Sequence, residues 1–207
     1  MIRVLIVDDH AIVRRGLKEI LADELDIEVS ETADSHDALR LIREQEWNLV
    51  VLDLELPGKS GLDLLKDVKC ERPRLPVLIL SVYPEDQFAV RTLRAGAAGF
   101  MPKDAAPEDL VMAIRKILSG GRYISEHTAE KLLHRFDQAA QAHEALSSRE
   151  FQILCLFGAG KTVSAIAREL SLSVPTVSTH RARILAKMQM KTTAELMRYA
   201  IQNRLAP

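Results

Sequence analysis

Along the first 120 residues, short apolar runs alternate with longer stretches in which apolar side chains recur every three or four positions. The runs occupy 2–7, 27–30, 49–52, 77–80 and 99–101. Each is too short for a helix, and largely continuous apolar character, in place of strict apolar–polar alternation, suits strands covered on both faces. Between and after them lie stretches at helical spacing, for example Ile12, Leu17, Ile20 and Leu21; Ala38, Leu39 and Ile42; Leu62, Leu64, Leu65 and Val68; and Leu110, Ala113, Ile114 and Ile117. Strand–helix alternation repeated five times predicts an α/β fold, a doubly wound five-stranded parallel sheet with helices on both faces. Ligands of such sheets sit beyond the carboxyl ends of the strands.

Gly120-Gly121 ends the alternation. The stretch from Arg122 to Ala145 is polar, with one helical pattern near 128–136, so residues 121–145 read as a partly helical linker. From 146 to 207 the pattern is wholly helical, in four short segments separated by capping residues, which predicts a second, smaller all-α domain. There is no internal repeat and no low-complexity tract.

Charge sharpens this division. The formal net charge of −1 conceals nine Lys/Arg against three acids in 147–207, and 19 basic against 26 acidic residues in the remainder. An acidic front and a basic back imply different partners, the second a polyanion. The two cysteines, Cys70 and Cys155, each lie in an apolar helical pattern and are expected to be small buried residues; no spacing suggests zinc or a disulfide framework. Residues 1–9 end in acids, unlike a signal peptide, and no apolar run approaches the ~18 residues of a spanning helix. The expectation is a cytoplasmic protein without membrane contact.

Three carboxylates fall at predicted strand ends, Asp8 and Asp9 after the first strand and Asp53 after the third. In a parallel sheet they converge on one edge, where like charges repel unless a cation neutralises them. A small set of oxygen ligands suits hydrated Mg²⁺. Ser81 ends the fourth strand and Lys103 follows the fifth, adding a hydroxyl and an ammonium to the same edge. Together these groups can bind phosphoryl oxygens while one carboxylate attacks phosphorus. One acid after a strand is commonly only a helix N-cap; five such residues at successive strand ends favour a joint site.

The segments VLIVDDH, VVLDLELPGKSGLDLL, PVLILS and AGAAGFMPKD resemble the receiver domain of bacterial two-component response regulators, over residues 1–120. The resemblance implies Asp53 as phosphoacceptor. It also implies Mg²⁺ held directly by Asp9, Asp53 and the main-chain carbonyl of Glu55, with Asp8 acting through a metal-bound water and Lys103 touching the phosphoryl group. Pro57 and Gly58 suit the turn after Asp53. Ser81 and Phe100 fill the family's switch positions; Phe100 lacks the phenolic hydroxyl of the Tyr common there. The Glu55 side chain would lie near the pocket mouth and affect how long the phosphoryl group survives.

In the basic half, Ala165, Ile166, Ala167 and Leu170 form a short amphipathic helix. Ser171-Leu172-Ser173 follows as a turn, with Ser173 as N-cap and Pro175 in the next helix's first turn. That helix groups Val177, Ile184, Leu185 and Met188 on one face. It presents Thr176, Ser178, Thr179, Ala182, Arg183, Ala186 and Lys187 on the other, a small, polar and basic surface suited to a major groove. LSSRE at 146–150, GAGKTVSAIARELSLSVPTVSTHRARILAKM and KTTAELMRYAI resemble the LuxR-type helix-turn-helix over 146–203. Receiver plus this domain resembles the NarL/FixJ response regulators.

The resemblance implies that 174–188 is the recognition helix and that 192–203 contributes to a homodimer. Ser178 stands where relatives often carry Lys, and Ala182 where some are basic. Base readout is therefore expected from Ser178, Thr179 and Arg183, with Thr176 beside them and Lys161, Arg181 and Lys187 on phosphates. Arg181 lies toward the buried edge of the helix and could instead support it. The expected function is a response regulator: a sensor histidine kinase phosphorylates Asp53, and double-stranded DNA is the target. A phosphohydrolase reading fails for want of a substrate-capping insertion, so no enzyme is expected. A receiver answering to a partner or small ligand is the other rival, opposed by the intact pocket.

Overall fold

A computed structural model of the chain describes residues 1–83, 85–105, 107–125 and 142–205. It divides into two compact units, Met1–Leu133 and His134–Pro207. The helical pattern read at 128–136 and most of the 121–145 linker lie outside the described residues.

In the first unit five strands, β1 (Ile2–Val7), β2 (Ile27–Thr32), β3 (Leu49–Asp53), β4 (Val77–Ser81) and β5 (Gly99–Pro102), alternate with helices α1 (Ala11–Ala22), α2 (Ser35–Glu44), α3 (Gly61–Glu71), α4 (Glu85–Arg94) and α5 (Pro107–Leu118). The sheet is parallel throughout, in the order β2-β1-β3-β4-β5. Side chains alternate across a strand, so Val4, Ile6, Val51, Leu78, Leu80 and Met101 pack on one face against Leu17 and Leu21 of α1 and Leu110, Ala113, Ile114 and Ile117 of α5. Leu5, Val7, Val50, Leu52, Ile79 and Phe100 are the alternate, equally buried set.

Two expectations need correction. β2 is an edge strand, so Glu28 and Glu31 stay exposed and only Ile27 and Thr32 are buried, unlike the inner strands. Cys70 is exposed, not buried. It sits two residues beyond Val68, which turns it by more than half a helical revolution away from the core face of α3.

The second unit contains a 3₁₀ turn (Ala142–Ala145) and helices α6 (Ser148–Gly158), α7 (Val163–Glu169), α8 (Val174–Lys187) and α9 (Thr193–Gln202). Each of the four helices starts on a hydroxyl cap: Ser147, Thr162, Ser173 and Thr192 accept a backbone N–H from the first turn. α6 is the central helix, buried through Phe151, Ile153, Leu154, Cys155, Leu156 and Phe157. His143 is buried against it, its ring 5.5 Å from Phe151 and its Nδ1 3.0 Å from the Tyr199 hydroxyl. Ser171, at φ 52°, makes the sharp turn between α7 and α8.

Candidate functional site

The parallel register brings the strand ends to one level, with Val7 beside Leu52, Asp53 beside Leu80 and Ser81 beside Pro102. The main-chain N–H of Asp8 bonds to Thr32 O at 3.2 Å, and that of Lys103 to Ser81 O at 2.9 Å, so the loops leaving the sheet are fixed. Arg14, one turn into α1, donates to the carbonyl of Asp8 at 2.7 Å. This scaffold holds four of the predicted groups together. Lys103 Nζ lies 2.8 Å from Asp8 Oδ2 and 2.8 Å from Asp53 Oδ2, with both carboxylates buried. Asp9, partly exposed, completes the cluster at its mouth.

Burial is the largest influence on Asp53. It raises the carboxyl pKa against the pull of Lys103, the Asp8 charge adds to the rise, and the result is about 7. For Lys103 burial works the other way and disfavours the ammonium, but attraction to Asp53 and Asp8 outweighs it and raises its pKa. With the carboxylates ionised, three of them against one ammonium leave two negative charges in excess. Asp53 Oδ1 is moreover buried with no hydrogen-bond partner. An orphaned carboxylate oxygen among oxygen donors with excess negative charge fits a small divalent cation such as Mg²⁺.

Ser81 ends β4 and Phe100 lies within β5, and the cluster of contacting groups includes neither. Ser81 is fully buried, and its Oγ accepts the Tyr83 N–H at 3.0 Å. Tyr83 in turn stacks on Phe88 of α4 at 4.4 Å. Phe100 is buried in β5. Glu55 is half-buried in the loop after Asp53. That loop turns at Gly58, φ +74°, next to a bond from Lys59 N–H to Pro57 O.

Two further residues belong to the site and carried no assignment from sequence. Gly61 opens α3 so close to β3 that an added Cβ would stand 2.0 Å from Asp53 O and 2.7 Å from Leu54 Cα. His10 places Nδ1 2.7 Å from Asp9 Oδ1. Both residues stood in the quoted motifs, yet their roles depend on tertiary proximity that spacing does not encode.

On α8 and its C-cap, Val177, Ile184 and Met188 are buried and Leu185 is half-buried, while Thr179, Ala182, Arg183, Ala186 and Lys187 are exposed, broadly the faces that the spacing predicts. The cations on and near this surface differ in their engagements. Lys161 pairs with Glu169 at 2.6 Å, and Lys187 pairs with the buried Glu150 at 2.6 Å. Glu150 also forms the capping box of α6 with Ser147, which accounts for the LSSRE segment. Thr176 bonds to Ser173 Oγ at 2.7 Å and Thr179 to Pro175 O at 3.0 Å. Ser178 is half-exposed; Arg181 is half-buried, with Nε unpartnered. Arg183 stands in solvent.

Known proteins carry the same two units. The family model of the response regulator receiver domain matches residues 4–115, and that of the bacterial regulatory proteins of the luxR family matches 144–200. The response regulator GacA of Pseudomonas aeruginosa is 38% identical over 98% of this chain and 97% of its own. The response regulator UvrY of Escherichia coli K12 is 34% identical over 99% and 96%. Among solved structures, RcsB from Salmonella enterica serovar Typhimurium, bound to promoter rprA with phosphomimetic BeF₃⁻, matches with a TM-score of 0.63 at 26% identity, over 96% of this chain and 98% of that one. With the receiver match alone spanning more than half of the sequence, the chain belongs to the NarL/FixJ response regulators, a receiver followed by a LuxR-type helix-turn-helix.

Proposed function

We propose that Asp53 accepts a phosphoryl group from the phosphohistidine of a sensor histidine kinase, and that this modification controls binding of the C-terminal unit to double-stranded DNA. One observation carries the reading: a buried carboxylate with one oxygen on Lys103 and the other unpartnered, among two further acids. In the transfer, an Asp53 oxygen attacks phosphorus, the phosphorus–nitrogen bond breaks, and its electron pair remains on the imidazole. The product is an acyl phosphate. Asp9, Asp53 and the Glu55 carbonyl would hold Mg²⁺, with Asp8 acting through water; the ion supplies neutralising charge for the phosphoryl oxygens.

The protein's own groups then rearrange. The phosphoryl group brings roughly −1.5 to −2 charge near neutral pH. Lys103 leaves the Asp53 carboxylate for a phosphoryl oxygen, and the Ser81 hydroxyl exchanges the Tyr83 N–H for another. Phe100 repacks beside them and, lacking a hydroxyl, transmits the change by packing alone. The surface of α4 and α5 changes with it, which favours a homodimer on a two-fold DNA site, α9 contributing to the dimer contact. In DNA, α8 enters the major groove with Ser178, Thr179 and Arg183 toward bases, Thr176 beside them, and Lys161, Arg181 and Lys187 toward phosphates.

Incubation with acetyl phosphate and Mg²⁺ followed by peptide mass spectrometry tests the chemistry. The expected result is one added phosphoryl group on the Asp53 peptide, absent from Asp53→Asn. Modification at another residue, or rapid hydrolysis of many phosphate esters by the wild type, overturns it.

A further inference from the structure

His10 occupies a position that its local role leaves unexplained. It is the N-cap of α1, where Ser, Thr, Asp and Asn are favoured because their side-chain oxygens accept the first free N–H groups. Its side chain makes no capping bond. Its main-chain N–H is taken by Asp8 Oδ1 at 2.8 Å, and the imidazole turns to the carboxylates, with Nδ1 2.7 Å from Asp9 Oδ1 and 3.4 Å from Asp8 Oδ1. One ligand atom each from Asp8, Asp9, His10 and Asp53 lies within 4.8 Å of every other. Around a six-coordinate ion with bonds of about 2.1 Å, neighbouring ligands stand about 3 Å apart and opposed ones about 4.2 Å. The groups therefore surround a single ion with small side-chain adjustments, Asp8 through a bound water and the others directly. The imidazole is 58% exposed and free to make its share of them.

We infer that His10 Nδ1 is a further ligand of the ion in this pocket, biasing it toward borderline divalent ions such as Co²⁺, Ni²⁺ and Zn²⁺ relative to Mg²⁺. The inference rests on the carboxylate pocket proposed above and adds its metal preference. Mg²⁺ is hard, prefers oxygen and gives up its waters reluctantly. Imidazole nitrogen is softer, and its affinity for first-row divalent ions rises from Mn²⁺ through Co²⁺ to Ni²⁺. Three carboxylates alone offer only oxygen. A nitrogen at their mouth adds binding energy for the borderline ions and little for Mg²⁺, so ion availability decides which one fills the site.

Titration calorimetry of the full-length protein with Co²⁺ alone and Mg²⁺ alone tests this, comparing wild type, His10→Ala and Asp53→Asn. The ratio of Co²⁺ to Mg²⁺ affinity falls about tenfold in His10→Ala. In parallel, proton NMR of the Co²⁺-loaded wild type shows a hyperfine-shifted exchangeable imidazole proton that His10→Ala lacks. His10 makes no cap bond and its contact to Asp9 is largely exposed, so the metal-free melting curve of the variant moves little. An unchanged affinity ratio, with the shifted resonance absent from the wild type, overturns the inference and leaves the carboxylate pocket standing. Mg²⁺ affinity that is equal in wild type and Asp53→Asn overturns the pocket itself.

Discussion

Asp53 concentrates the tension of this molecule in a single group. Its folded pKa, raised by burial to about 7 from an ordinary 3.8, means that the folded state retains a proton which the unfolded chain releases. Between those values stability must fall as pH rises, because the unfolded state binds fewer protons. The predicted loss, in metal-free buffer, is on the order of 2–4 kcal/mol between pH ~4 and ~7. Asp53→Asn removes it, and Mg²⁺ flattens the slope by favouring the carboxylate. Melting curves across this pH range, with and without Mg²⁺, check both effects. Gly61 has a different sensitivity. Gly61→Ala drives a methyl group into the Asp53 carbonyl, and the expected cost is about 1–3 kcal/mol together with slower phosphoryl acceptance, read by denaturant unfolding and by mass spectrometry. Asp8, Asp9, Asp53 and Lys103 were legible in the sequence because strand ends in a parallel sheet share an edge. Gly61 and His10 were not, because their relations to Asp53 and Asp9 arise only when the loops close.

Among the elements, the inner strands announced themselves as continuous apolar runs. β2 was misread as fully covered although Glu28, Ser30 and Glu31 interrupt its apolar residues, the local mark of an edge strand with water on its polar positions. Helix α8 was legible in its two faces, its cap and its proline. The engagements of its cations were not, since Lys187 meets Glu150 across 37 positions of sequence. This ion pair makes a prediction at the scale of two packed helices. Glu150→Gln keeps the capping box, which accepts Gln as well as Glu, but releases Lys187. DNA affinity then rises, and the slope of log affinity against log salt steepens by about one phosphate contact. The stability cost stays under about 1 kcal/mol, since the lysine is partly exposed. Fluorescence anisotropy at several salt concentrations, with a melting curve, measures both effects. Unchanged affinity would place Lys187 away from the phosphates.

For the whole molecule, the split between an acidic front and a basic back already separated the receiver unit from the helix-turn-helix unit. Sequence gave no access to the energy that couples them. A complete shift from 1:99 to 99:1 needs about 5.5 kcal/mol of differential stabilisation, so the unphosphorylated protein retains some DNA binding if the coupling is smaller. Coupling between sites commonly falls in the range of ~5–150-fold. The measurement that tests the account most directly is DNA affinity and oligomeric state with and without acetyl phosphate and Mg²⁺, in wild type and Asp53→Asn. The account predicts tighter binding and a dimer for the phosphorylated wild type, by at least about fivefold, and no response from Asp53→Asn. Equal responses from the two proteins, or none from either when Asp53 is demonstrably phosphorylated, would contradict it.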